Sequence, residues 1–128
     1  MPIKNADPNL GSGKFLSGDF DPNISSEHET LIANAGVYVD GTVMGKLTSG
    51  ANIGRVVNFD PANVEGAAVA YGILFGDKLN KTTIQRVVVV VRDQVVNGNL
   101  ITYRATATTP QRAAAELALK AVSLIVRR

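Results

Sequence analysis

A chain of 128 residues without cysteine has room for one domain with a single core, and it excludes disulfides, thiolate metal sites and thiol nucleophiles. Hydrophobic residues make up 45% of the chain, mainly Val, Ala, Leu and Ile, which favours β-structure. The formal charge is +2, yet residues 1–29 hold five acidic and two basic side chains, which argues against a basic arm for nucleic acid. No stretch is apolar enough for a signal peptide or a membrane span, so we expect a soluble protein with no membrane partner.

Residues 1–29 are rich in proline, glycine and polar residues and show neither a helical nor a strand period. They predict an extended, flexible N-terminal arm. Large apolar side chains are nevertheless spaced along it, and we take five of them as candidate binding anchors. These are Leu10, Phe15, Leu16, Phe20 and Ile24. A segment of this kind can fold onto a partner's surface or lie across its own domain, and the sequence leaves both open.

From Thr30 the pattern changes to short β segments separated by turns, and it predicts one β-rich domain over residues 30–128. Asp40-Gly41 and Asn97-Gly98 are each flanked by β-prone runs, which predicts two hairpins. The five consecutive valines Val87–Val91 indicate a strand buried on both faces.

The last segment changes period again. Thr109 is a candidate N-cap with Pro110 at the first helical position, and strong helix formers follow, so we predict a helix near residues 110–122. The run "LIV" at residues 124–126 then predicts a short terminal strand or tail.

The glycine-rich stretch "GVYVDGTVMGKLTSG", residues 36–50, invites comparison with a phosphate-binding loop. Gly36 and Gly41 have the spacing of a Walker loop, but Thr42 follows where lysine is needed, and Lys46 is followed by Leu47 with no helix after it. No dinucleotide fingerprint is present either. We therefore interpret these glycines as turn and bulge positions.

Other polar residues also favour structural roles. His28 is the only histidine and stands in a polar segment, and alternation along a strand would turn it away from Glu27 and Glu29, which leaves one side of a metal site. Three aspartates are at or near turns: Asp60, Asp77 and Asp93. Lys78 follows Asp77 at a possible strand junction, but the full frame of acidic and small residues that surrounds a modified carrier lysine is missing. A possible basic patch lacks aromatic platforms and a recognition helix, so we expect a solvated basic face; its members are Arg86, Arg92, Lys120, Arg127 and Arg128. Taken together, these residues lead us to expect no catalytic residue, metal or cofactor.

Several blocks taken in order resemble the lambda-type head decoration proteins of tailed phages. They are "AGVYVDGTVMGKLTSG", "FDPANVEGAAVAYGILFGD", the valine strand "RVVVVVRDQVV", the alanine-rich helix and "LIVRR". Each block alone is a common strand or helix pattern, and it is their order and spacing over residues 27–128 that carries the resemblance.

The resemblance implies a small β-clip-like or barrel-like domain with one C-terminal helix, assembled as a homotrimer. It also implies a virion protein on the outer surface of the expanded capsid at local threefold sites, where it stabilises the shell against internal DNA pressure. The arm, residues 1–29, would then bind the major capsid protein and add to its strands. The alternative from another class is a small β-barrel ligand-binding module or enzyme subunit, which a convergent polar pocket at His28 or Asp77 would favour. A third is a tail or adhesion component of the virion.

Overall fold

The computed structural model describes residues 13–17 and 19–128. It contains eight strands and two helices among these residues. The strands are β1 (Leu16–Ser17), β2 (Ser26–Leu31), β3 (Val43–Lys46), β4 (Val56–Asn58), β5 (Ala70–Phe75), β6 (Gln85–Val90), β7 (Gln94–Asn97) and β8 (Leu124–Arg127). The helices are the one-turn α1 (Pro22–Ser25) and the longer α2 (Thr109–Lys120).

Five strands close into a barrel in the order β2-β4-β3-β5-β6, and β6 returns to pair with β2 along six residues. The remaining three form a separate sheet in the order β1-β7-β8, in which β1 is antiparallel and β8 parallel to β7. The predicted fold class, mainly β with a barrel-like domain and one long C-terminal helix, is therefore confirmed.

Two apolar cores follow from the alternation of side chains along the barrel strands. Met44 and Leu74 point to one core, while their neighbours Val43 and Ile73 point to the other. The barrel core consists of Leu31, Tyr38, Met44, Val56, Leu74, Val87, Val89 and Val91. The outer core lies between the barrel wall, α2 and the three-stranded sheet. It consists of Phe15, Val43, Phe59, Ala70, Ile73, Val90, Val96, Ala115, Leu119 and Leu124.

The valine run is buried as predicted, with Val88 alone only partly covered, because its side chains alternate between the two cores. It does not continue as one strand. Asp93 adopts a left-handed conformation (φ 53°), and this ends β6 and starts β7 in the other sheet. The single run therefore connects the barrel to the three-stranded sheet.

Neither predicted hairpin forms. Gly41 has φ 88° but Asp40 is not left-handed, and Tyr38 makes an isolated bridge with Lys78 instead of pairing with β3. After β7 the chain does not return as a strand, because the backbone N–H of Gly98 donates to Arg127 in β8, 2.6 Å away. At both places a local turn hydrogen bond is present, from the Thr42 N–H to the Val39 carbonyl at 3.2 Å and from the Leu100 N–H to the Asn97 carbonyl at 3.0 Å. Both errors have one cause: the segments that flank each turn pair with distant parts of the chain and not with each other.

The long helix is present, one residue earlier than expected. Thr108, not Thr109, is the N-cap, and it exchanges hydrogen bonds with Gln111 in a capping box. Ala115 and Leu119 are buried against the outer core. The terminal strand β8 is confirmed, and Arg128 binds Glu116 of the helix through two hydrogen bonds of 2.9 and 2.7 Å.

The interpretation of the glycine-rich stretch is also confirmed. Gly45 is the site of a register shift between β3 and β5, and a β-carbon there would lie 2.6 Å from the Ala67 backbone. Gly41 lies so close to the Leu100 carbonyl that a β-carbon would be 2.5 Å from its oxygen. These glycines permit close backbone approach, and β3 follows, not a helix.

Replacing Gly45 with alanine should therefore lower the free energy of unfolding by about 1–3 kcal/mol, because the added methyl group meets backbone that cannot move aside. Gly98→Ala is the matched control, since the three atoms nearest to the added carbon there belong to the side chains of Arg128 and Val126 and not to the backbone. Urea unfolding of both variants checks this, and equal losses would contradict the backbone explanation.

The ion pair between Arg128, just after β8, and Glu116 of α2, which we call the clasp, predicts that stability depends on pH. Hydrogen bonding from Arg128 lowers the pKa of Glu116 below its ordinary value of 4.5, so the folded protein holds fewer protons there than the unfolded chain. The resulting stabilisation is complete above that pH and is lost as the pH falls below it. Glu116→Gln should show a smaller decrease in melting temperature between pH 6 and pH 3 than the parent protein. An equally steep decrease would show that the clasp has no part in it.

Candidate functional site

The described start of the predicted arm lies on the domain itself. We call Gly13–Ser17 the strap. Its strand β1 pairs with β7, with Leu16 opposite Val96, and the carbonyl of Phe15 accepts from the Asn97 N–H at 2.7 Å. The Phe15 ring is fully buried in the outer core. The sequence left open whether this segment folds onto a partner or lies across its own domain, and residues 13–17 lie across their own domain.

One carboxylate binds Gly13 and Lys14, the first two residues of the strap, which we call its root. The backbone N–H of Gly13 lies 2.9 and 3.0 Å from the two carboxylate oxygens of Asp40, and the N–H of Lys14 lies 3.2 Å from Oδ2. The same carboxylate accepts from Gly76, just after β5, at 2.7 Å. Gly13 itself has φ 78°, and a β-carbon on it would lie 2.7 Å from the ring of Phe75. The strap root is thus fixed to the barrel by both hydrogen bonds and shape.

The other candidate anchors differ in their surroundings. Phe20 stacks on Phe75 with ring centroids 5.7 Å apart and is partly buried. Ile24 lies in α1 and is 55% exposed. Leu10 lies outside the described residues. The structure therefore brings Phe15, Leu16 and Phe20 together against one core and leaves Ile24 apart, and the role of all five in binding stays a prediction.

The predicted boundary at residue 29 lies within an element, because β2 begins at Ser26 and is a barrel strand. Sequence reasoning also missed Asp40 and Phe75 as partners of the strap. Asp40 was interpreted as a turn residue, and no local signal points to a contact with a residue 27 positions away.

The two acidic candidates for a metal site, Glu27 and Glu29, are engaged in structural contacts. Glu29 is almost completely buried; it accepts a hydrogen bond from the Tyr71 hydroxyl and forms an ion pair with Lys46 at 3.3 Å. Burial, and then the hydrogen bond to this carboxylate, raise the pKa of Tyr71. Glu27 pairs with Arg92 at 2.7 Å. The part of the chain described here contains no group of three residues suited to hold a metal ion.

Among the clefts formed by residues 13–17 and 19–128, none of the three described below includes His28 or Asp77, the positions at which a polar pocket would favour an enzyme or ligand-binding module. Asp77 accepts from the Asp40 backbone N–H at 2.7 Å, and His28 is exposed on β2. Three shallow clefts of about 260, 340 and 350 Å³ are lined by other residues. Neither described helix is long and apolar enough to cross a bilayer.

Comparison with known proteins identifies the family. The family model for "Bacteriophage lambda head decoration protein D" matches residues 6–124. The chain belongs to this family of head decoration proteins. No curated protein sequence matches the chain. Membership makes it a structural capsid protein that associates with the phage head and is part of the virion.

Within this decoration protein, the candidate anchors should separate into core and surface residues. Phe15→Ala should lower the free energy of unfolding by about 3–5 kcal/mol, because it leaves a cavity in the outer core. Ile24→Ala should change it by less than about 0.5 kcal/mol, since the side chain is more than half exposed. Urea unfolding measures both, and a small effect for Phe15→Ala would mean that the strap does not close on the isolated domain.

Proposed function

We propose that this decoration protein is a non-enzymatic cement for the phage head. In this proposal it binds as a homotrimer to the outer surface of the expanded capsid at local threefold sites, and it contacts the major capsid protein through its N-terminal arm. Its action is to stabilise the shell against the pressure of the packaged DNA. The proposal rests first on family membership over residues 6–124.

The single structural observation that supports the arm's role is that Gly13, at the root of the strap, is hydrogen-bonded to the Asp40 carboxylate. Residues 1–12 precede it and contain Ile3 and Leu10, apolar side chains spaced along a polar segment. Phe15 and Leu16 are already used within the domain, so they position the arm and leave the contact with the capsid to residues before the strap. We therefore propose that residues 1–12 make the main contact with the capsid, while the binding role predicted for Phe15, Leu16, Phe20 and Ile24 stays a prediction.

Three arms on one trimer would act together. Once the first arm is bound, the others are held near their sites, and the effective concentration raises the overall affinity without a new contact. A ligand that binds only the expanded lattice stabilises it by mass action, by about 2.7 kcal/mol per site at a hundredfold excess over Kd. Such a gain over many threefold sites is what a pressurised shell needs.

Deletion of residues 2–12 tests the proposal. Because the strap, Phe15 and both cores are kept, the truncated protein should have the melting temperature and trimer mass of the full chain. It should no longer pellet with expanded empty capsids, whereas the full chain should do so in a fixed ratio. Sedimentation measures both properties.

A second variant controls for the mere presence of an arm. Replacing Ile3 and Leu10 with serine keeps its length and charge while removing its two large aliphatic side chains, and it should weaken pelleting nearly as much as the deletion. If the truncated protein bound capsids as tightly as the full chain, the arm would not be the binding element. A monomeric full chain would exclude the trimer.

A further inference from the structure

Asp40 is the point at which the strap, the barrel and the segment after β5 meet. Its carboxylate accepts hydrogen bonds from three backbone N–H groups, those of Gly13, Lys14 and Gly76. These partners are 27, 26 and 36 positions away in sequence. We propose that Asp40 is a positioning residue for capsid binding, because it fixes Gly13 and Lys14, the residues to which the arm is joined. This inference rests on the function proposed above.

The chemistry of the contact requires a carboxylate. Both of its oxygens accept, since Gly13 donates to both, Gly76 to Oδ1 and Lys14 to Oδ2. An ionised acceptor forms stronger hydrogen bonds than a neutral one. An asparagine would present an NH₂ group on one side, where it would face an N–H group that also needs an acceptor. Asp40→Asn is therefore a nearly isosteric change that releases part of the strap root.

Asp40 is itself held in place. Its backbone N–H donates to Oδ1 of Asp77 at 2.7 Å, and the N–H of Gly41 donates to the Leu74 carbonyl in β5 at 2.9 Å. The carboxylate thus projects from a segment that is bonded to the barrel wall. The arm of every copy consequently starts from the same point on the barrel.

A fixed starting point matters because the arm must find its site while the domain sits on the lattice. Loss of the hydrogen bonds at Gly13 and Lys14 would let these two residues, to which the arm is joined, take more positions, and this would lower the effective concentration of the arm at its site. The contacts of Asp40 are partly or fully exposed, whereas Phe15 and the pairing of β1 with β7 hold the strap from within. Loss of Asp40 should therefore reduce binding more than it reduces stability.

The test compares Asp40→Asn and Asp40→Ala with the matched control Asp60→Asn, all in the full chain. Asp60 also accepts a backbone N–H through Oδ1, from Ala62 at 3.0 Å within its own turn, and its Oδ2 lies 3.9 Å from an Arg104 guanidinium nitrogen, so it does not contact the strap. Amide exchange and amide proton shifts by NMR report on Gly13 and Lys14 in the free protein, urea unfolding reports on stability, and co-sedimentation with expanded capsids gives the affinity.

We expect exchange at Gly13 and Lys14 to rise about tenfold in Asp40→Asn, with a larger rise in Asp40→Ala, and capsid affinity to fall about tenfold, as one lost charge-assisted hydrogen bond allows. Asp60→Asn should change neither. Unaltered exchange at Gly13 in Asp40→Asn would overturn the inference. So would an affinity loss no greater than that of Asp60→Asn at the same urea midpoint. Failure of the parent protein to pellet with capsids would instead overturn the proposed function. The two cases can be told apart, because amide exchange at Gly13 and Lys14 is measured in the free protein and does not depend on capsid binding.

Discussion

The outer core is the contact on which the other parts of the molecule depend. Side chains from the barrel wall, the long helix, the three-stranded sheet and the strap all meet there, and no one of these elements could cover its apolar face alone. The barrel and the sheet are also joined directly along the chain, because β7 follows β6. Val90 of β6 and Val96 of β7 both contribute to the outer core. The barrel and the sheet are therefore joined twice, through the chain and through packing.

The closed barrel has a different interior. Aliphatic side chains fill its middle, and the buried Glu29 with Tyr71 and Lys46 forms a polar group beside that core. A buried carboxylate is costly unless it is paired and hydrogen-bonded, and here both conditions are met. The acidic residues of β2 that could suggest a metal site are instead engaged with a neighbouring tyrosine, lysine and arginine. These contacts give both glutamates of β2 a structural role.

Periodicity and composition identified the features that depend on neighbouring residues. The alanine-rich helix, the buried valines and the terminal strand follow from local propensity and from the alternation of side chains. The two hairpins were wrong because Asp40 and Gly98 are engaged by residues far along the chain, which no local pattern encodes. The same reason explains the candidate site: Phe15 could be recognised as an apolar anchor, but whether it inserted into its own domain or a foreign one depended on β7, about eighty residues later.

The pairing of the strap with β7 has a consequence for how the molecule folds. A chain made from its N-terminus exposes the Phe15 side chain long before residues 94–97 exist to receive it. Closure of such a large loop is slow relative to the formation of local contacts, so we expect the strap to join the sheet late in folding. β8 must also add in parallel to β7 from the far end of the chain. The outer core is consequently complete only once residues 124–127 have been synthesised, and a shorter nascent chain lacks the strand β8 and the side chain of Leu124.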